Sequence, residues 1–421
     1  MSEDRRQRRR RVVITGLSAV TASGTGCEPL WNDLLAGRSR YSTIDAFDTT
    51  GFPVRQAGVV RDYDPRATIH GRIVNQTDLH THFGLTAAAL ALHDSGLDLD
   101  AVDRGLVGTV IGNNLGGNVF GEEQLYNLYT KGARTVSAYQ AIAWFYAATT
   151  GQVSINNKLR GYAKAYVADR VASMLAIGDA FRVVQRGEND VVVAGGCEAP
   201  ITPYSIVAYL DAAMLSRTDG ADAYRPFDVE RDGLLLGEGG AIVVLEEREH
   251  ALRRGAQIYA EVVGYGQSND ARGPKAYEPE GIQYARAIRL AMSDGDVAPA
   301  DVGYVSVDGA GGEIEDRREA AALRNALGPT VDDILVSCPK TMFGHTIGAA
   351  SAIDTLIACL ALRDCKVPPT VGTHNLDPAC ELPLVLGQPA RLSRPVALVL
   401  ATARGGINAA LALRASGASS D

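Results

Sequence analysis

The six cysteines are the residues with the most obvious chemistry: Cys27, Cys197, Cys338, Cys359, Cys365 and Cys380. They are scattered, with no CxxC pair and no metal-ligand spacing, so no metal site and no disulfide framework is expected. Several lie inside apolar runs such as Val191 to Cys197, where a small buried thiol is ordinary core. Phosphate chemistry is the next possibility, because glycine-rich turns punctuate the chain at Gly112–Asn113–Asn114–Leu115–Gly116–Gly117, Gly233 through Gly240, Gly309–Gly312 and Gly405–Gly406. Glycine there permits left-handed backbone and close approach of main chain to another group. None of these turns leads into the Lys and Ser/Thr of a phosphate-binding loop, and none opens a helix as GxGxxG. No cofactor is expected.

The elements that must position any site come from a chain of 421 residues, 46% hydrophobic and 21% charged, which is ample for a large globular core. A formal net charge of −8 gives no general attraction for nucleic acid or an anionic membrane. The one basic run, Arg5, Arg6, Arg8, Arg9, Arg10 and Arg11, precedes an apolar stretch from Val12 to Val20. Thr15, Gly16 and Ser18 interrupt that stretch, so it reads as a first strand behind a disordered basic tail over 1–10 rather than as a secretory signal. No segment offers the roughly 20 apolar residues of a membrane span. The expectation is a soluble, cytoplasmic protein.

Strand and helix signals alternate, which points to α/β architecture with buried strands. The alternation happens twice. Strands are expected at Arg11–Val20, Leu106–Gly112, Asp190–Gly195 and Ala241–Glu246, with a helix after Arg170. A second set follows at Ile258–Gly266, Gly303–Val307, Val396–Ala401 and Ile407–Leu413, with a helix after His345. Two similar halves, 11–255 and 256–421, suggest layers packed face to face rather than a solenoid. The expected fold is a duplicated, layered α/β/α/β/α body with two five-stranded mixed sheets, its two repeat-related helices central and buried.

From about Arg11 to Leu413 the chain resembles the β-ketoacyl synthase family of the thiolase fold. The resemblance is carried by Val12–Ile14–Thr15–Gly16, Val193–Ala194–Gly195–Gly196–Cys197–Glu198, Arg225–Pro226–Phe227–Asp228, Asp232–Gly233 with Gly237–Glu238–Gly239, Pro339–Lys340 with Gly344–His345, and Gly405–Gly406 with Asn408. Within the family, Ser137 through Gln152 resembles the chain length factors, the ketosynthase beta chains of type II polyketide synthases. That resemblance implies a heterodimer with an active ketosynthase alpha subunit. It also implies an acyl carrier protein and a growing polyketide chain as the other partners.

Laid on the family's site, Arg170 falls on the nucleophilic cysteine. Arginine keeps its proton in proteins and is no nucleophile, so no catalytic residue is assigned. The family's first histidine falls on Asp308 of Asp308–Gly309–Ala310–Gly311, and its gating phenylalanine on Arg404. His345 and Lys340 are retained. A cation at a helix N-terminus opposes the helix dipole, so Arg170 either meets a buried anion, Asp308 being the candidate, or swings to solvent. His345 reads first as a helix-start histidine hydrogen-bonded in the core. Ser173 and Cys197 read as structural, and Glu238 and Asp228 as acceptors that fix loops.

For a silent subunit, the resemblance moves function to the partner interface and to a shared tunnel. Phe120, Gln124, Leu125 and Leu128, at near-helical spacing, are the tunnel candidates. Thr149 to Asn156 resembles the strand that pairs across the family's dimer; Tyr139, Trp144, Phe145, Tyr146, Gln152 and Ser154 are the interface candidates, with ordinary core as the plainer reading. Retention of His345 points to a branch serving a reducing, polyene-making system. Two alternatives stay open: a stand-alone thiolase-fold decarboxylase or hydrolase using His345 and Asp308, and a non-catalytic homodimeric scaffold that binds carrier protein.

Overall fold

The computed structural model describes residues 9–273 and 276–417. The basic tail expected over 1–10 lies outside the described residues as far as Arg8. Arg9 and Arg10 are tied to the body, with Nη1 atoms 3.2 Å from Asp294 and 2.6 Å from Asp190 respectively.

The N-terminal half supplies strands β1 (Val12–Thr21), β2 (Val107–Asn113), β3 (Ala163–Val167), β4 (Val191–Glu198) and β5 (Gly239–Glu247). The C-terminal half supplies β6 (Ala260–Asn269), β7 (Val302–Ser306), β8 (Leu335–Ser337), β9 (Val396–Ala403) and β10 (Ile407–Ala415). Among the described residues these form one sheet in the order β8-β7-β9-β10-β6-β1-β5-β4-β2-β3, with the two-residue strand Gly24–Thr25 beside β1. Each half contributes five strands in the same order, and the two sets join where β1 pairs with β6 over Val12↔Val262, Val13↔Glu261 and Ile14↔Ala260. Runs such as Val191–Val192–Val193–Ala194 are buried along their whole length, as strands covered on both faces must be.

Helices α1 (Leu79–Ser95), α2 (Asn118–Lys131), α3 (Ala148–Asn157) and α4 (Ala172–Arg186) belong to the first half. Helices α5 (Ile282–Asp294), α6 (Glu313–Leu327) and α7 (Ala350–Asp364) belong to the second. The largest apolar cluster places α4 and α7 with side chains of β1, β5, β9 and β10. Residues of α1 and α3 cover the outer face of the N-terminal five strands, and those of α5 and α6 the outer face of the C-terminal five; the two expected five-stranded sheets are joined at β1 and β6 into one. This is the five-layered, thiolase-like body, with α4 and α7 as its middle layer.

The repeat can be followed atom by atom. One short turn, Asp169–Val171, leads into α4, and another, Ile347–Ala349, leads into α7. Asp169 and Ile347 both take left-handed backbone, φ 48° and 45°. Four residues further on, the Oγ atoms of Ser173 and Ser351 lie 2.9 Å apart, and Ser173 Oγ accepts the Ala352 N–H at 3.1 Å. Ser173 therefore ties the two central helices together.

Thr149–Asn156 is not a strand: it lies within helix α3. One end of the sheet is β8 and the other is β3, a short segment with no fully buried residue. Ala163–Lys164–Ala165–Tyr166–Val167 lacks a buried face of its own because its outer side has no neighbouring strand, and so it lacks the apolar run that marks the central strands.

Candidate functional site

The site lies between the turn that starts α4, the glycine-rich turn after β7, and the segment before α7. Arg170 is 1% exposed, in the turn that heads the buried helix α4. Its Nε lies 3.2 Å from Asp308 Oδ2 and donates to the Thr402 carbonyl at 3.2 Å. This is a single-pronged contact rather than the paired fork that arginine can make, and Arg170 Nη2 and Asp308 Oδ2 find no hydrogen-bond partner among the described residues. Burial alone would weaken the guanidinium's hold on its proton, but the Asp308 carboxylate outweighs it and Arg170 stays charged. Burial likewise disfavours the Asp308 carboxylate, yet Arg170, with help from His345, brings it down to about 2.

His345 completes the group. Its Nδ1 accepts the Ile347 N–H at 3.0 Å, which leaves the ring proton on Nε2, 3.5 Å from Asp308 Oδ1. That separation is longer than an ordinary hydrogen bond. Burial pushes the imidazole down to about 4, and the positive charges of Lys340 and Arg170 push in the same direction. His345 is therefore neutral near pH 7. Lys340 Nζ donates to the carbonyls of Val307 and Asp308 at 2.6 and 3.1 Å and pairs with Asp354 Oδ2 at 2.8 Å, so its three donors are occupied.

Two buried carboxylates on α6 hold the Asp308 turn in place. Glu319 accepts the N–H groups of Asp308 and Gly309, both at 2.8 Å, and Asp316 accepts those of Gly311 at 2.9 Å and Phe227 at 2.6 Å. Burial raises Glu319 to about 7 and Asp316 to about 8. Sequence reasoning missed both residues. Their signal was available: two acids three apart, on the inward face of a helix that starts directly after a glycine-rich turn. Asp228 accepts the N–H groups of Glu230, His374 and Asn375, and Glu238 that of Val60, so both fix loops.

Arg404 does not enter the pocket. Its side chain is exposed, with Nε 3.7 Å from Asp169 Oδ2, and its backbone N–H donates to the same oxygen at 3.0 Å. The charge lies outside because Asp169, next to Arg170, anchors it at the surface. Cys197 is buried beneath Thr149, with its thiol pushed up to about 12 by burial. Cys338 is buried beside the Asp308 carbonyl and is also raised by burial. Neither thiol is poised to ionise.

The tunnel candidates point different ways. Gln124 is buried and its Oε1 accepts the Ser137 N–H at 2.8 Å, so it supports a loop instead of lining a cavity. Phe120 is half-buried. Leu125 is 51% exposed, and Leu128, Tyr126 and Tyr129 are also on the surface. Tyr139, Trp144, Phe145 and Tyr146 are exposed as well, Phe145 by 61%, so they are not core. Gln152 and Ser154 are half-buried on α3, and the Ser154 hydroxyl is occupied by the Thr150 carbonyl. Phe145, Ile142, Ile155 and Ala165 line a groove of about 430 Å³ beside β3. Among the described residues no helix is long and apolar enough to cross a membrane, and no group of acids, histidines and cysteines could hold a metal ion.

Comparison with known proteins agrees with this architecture. The N-terminal domain of β-ketoacyl synthases matches residues 9–251 and the C-terminal domain of the same family matches residues 259–374. The tetracenomycin polyketide synthase ketoacyl synthase beta subunit of Streptomyces glaucescens is 41% identical over 408 residues, 96% of this chain and 98% of the relative. The 3-oxoacyl-acyl-carrier-protein synthase 2 of Coxiella burnetii is 35% identical over 407 residues, 96% of this chain and 98% of that protein. Among solved structures, the ishigamide ketosynthase/chain length factor superposes with a TM-score of 0.92 at 30% identity, over 97% of this chain and 100% of the other. A type II acyl-carrier protein in complex with its ketosynthase bound to the hexaketide matches with a TM-score of 0.88 at 28% identity, over 97% and 99%. The chain belongs to the β-ketoacyl synthase family, in its ketosynthase beta, or chain length factor, branch of type II polyketide synthases.

Proposed function

We propose that this chain is a non-catalytic chain length factor. It pairs with an active ketosynthase alpha subunit and shapes the tunnel that limits chain length as a carrier-protein-bound polyketide grows by decarboxylative Claisen condensation. The observation that carries this reading is Arg170: the residue heading the central buried helix, where an active condensing enzyme needs a thiolate, is a charged guanidinium facing Asp308. A thiolate in that place would be favoured by the helix dipole and the amide N–H groups. A guanidinium offers no electron pair. The apolar face around Phe145, Leu125 and Leu128, beside the open edge β3, is where the alpha subunit docks and where this chain contributes tunnel wall. The retained His345 extends the reading to a polyene-type product, made in the cytoplasm.

A decarboxylase or hydrolase built on His345 and Asp308 has less support. Its acid and base are both fully buried, and their separation exceeds a working hydrogen bond. Co-expression with a ketosynthase alpha subunit tests the reading. The expected result is a stable heterodimer that consumes malonyl-carrier thioester, while this chain alone consumes none. Turnover by the isolated chain, or a stable homodimer that ignores the alpha subunit, would overturn it.

A further inference from the structure

We propose that Asp78 and His80 are positioning residues for product length, because together they fix the first turn of α2, the helix that carries Phe120, and so fix where the acyl tunnel ends. The inference rests on the chain-length reading above.

Helix α2 cannot cap itself. Its N-cap is Gly117, which has no side chain, and a Cβ there would fall 1.9 Å from the Ala143 carbonyl oxygen. The segment carrying Trp144 packs so closely on the start of α2 that a capping side chain is sterically barred. The missing acceptor comes from elsewhere: Asp78 Oδ2 accepts the Phe120 N–H at 2.6 Å. Free N–H groups in the first turn need such a partner.

The other oxygen of Asp78 serves a second helix. Oδ1 accepts the His80 N–H at 2.9 Å, which makes Asp78 the N-cap of α1, and it lies 2.9 Å from His80 Nδ1. Both side chains are fully buried. The ring then continues the chain of contacts. His80 Nε2 lies 3.3 Å from Thr81 Oγ1, Thr149 Oγ1 donates to Thr81 Oγ1 at 3.1 Å, and the Cys197 thiol donates to Thr149 Oγ1 at 3.4 Å. Thr149 lies in the first turn of α3. One buried polar chain thus locks the tunnel helix, the helix behind the interface groove and strand β4 to a single carboxylate.

A carboxylate is required for this double role. Each of its oxygens accepts from a different helix, whereas an amide offers one acceptor and turns two donors toward the other. Other side-chain tethers of α2 hold other atoms: Asn118 Nδ2 donates to Thr202 and Ser205, Glu122 Oε1 accepts from Thr202 Oγ1, and Gln124 Oε1 accepts the Ser137 N–H. They do not hold the Phe120 amide.

The test uses the co-expressed heterodimer and reads products by mass spectrometry against total malonyl consumption. Asp78→Asn is expected to broaden the product ladder, with loss of the principal product to neighbours differing by two-carbon units. Amide exchange in the peptide containing Phe120 should rise by roughly 2- to 30-fold, the range a lost helix cap gives. An unchanged ladder from a folded, active Asp78→Asn complex overturns the proposal. If that variant does not fold, His80→Gln is read in the same way, since it keeps the carboxylate and removes only the ring; fast exchange of the Phe120 amide in the unmodified complex also overturns the proposal. Phe120→Ala separates the two levels. If it leaves product length unchanged, Phe120 does not end the tunnel and the positioning role fails with it, whereas the chain-length reading fails only if the heterodimer does not form or this chain turns over substrate alone; if Phe120→Ala shifts the products while the Asp78 and His80 variants do not, only the positioning role fails.

Discussion

Arg170 brings a full charge into a space closed to water, and the cost of doing so is offset only by what it faces. Removing one partner of a buried ion pair costs about 3–5 kcal/mol, while replacing both by apolar side chains of similar volume is often neutral. Arg170→Ala is therefore expected to lower stability by about 3–5 kcal/mol, and the double variant Arg170→Met/Asp308→Leu by much less, as read by chemical denaturation. Condensation by a complex carrying the double variant should be retained, because the pair fills space and does no chemistry. The pH dependence follows from the same residues. His345 and Asp308 are both held below their ordinary values, at about 4 and about 2, so each contributes fully above its unfolded pKa and less as pH falls. His345 should pull stability down between about pH 6.5 and 4, and Asp308 below about pH 4, while the raised Glu319 and Asp316, at about 7 and about 8, pull it up as pH falls over the first interval; the His345 share is read as the difference in melting temperature between the unmodified protein and His345→Asn, which should grow from about pH 6.5 to about pH 4. The pairing was legible because the resemblance lays Arg170 and Asp308 on two positions that converge in the family's fold, where opposite charges have few other partners. Glu319 and Asp316 were not, since acids on a charged helix look like a solvated face until the turn they hold is seen.

The central pair of helices depends on contacts small enough to be disturbed by one atom. Ser173 Oγ serves both Ser351 and the Ala352 N–H, so Ser173→Ala leaves buried polar groups without partners and should cost about 1–3 kcal/mol. At Gly178, in the middle of α4, an added Cβ would lie 2.3 Å from the Tyr265 ring. Gly178→Ala, which would ordinarily favour a helix, should instead destabilise by about 1–3 kcal/mol through overpacking, seen as a lower melting temperature. The duplicated order of strands and helices was readable because central strands are continuous apolar runs. The edge was misread: Ala148–Asn157 is amphipathic enough to be helix, and β3 is too short and too exposed to announce itself before its partner is present.

At the scale of the molecule, the two halves form one body with the buried Arg170–Asp308 pair at its centre and exposed apolar side chains on its flank. Phe145, Trp144, Ile142 and Ile155 are the large exposed apolar side chains there. Phe145→Asp is expected to abolish co-purification with the alpha subunit while leaving the fold of the isolated chain intact by circular dichroism, as aromatic anchors dominate such interfaces. Composition and charge gave no general attraction for nucleic acid or membranes; the resemblance marked Phe145 as an interface candidate, but the exposure of Leu125 and Leu128, placed on a tunnel by their spacing, could not be read from one sequence. The account is tested most directly by the intact mass of each subunit after the heterodimer is loaded with acyl-carrier substrate under single-turnover conditions. The acyl adduct should appear on the alpha subunit alone; an adduct on this chain would contradict it.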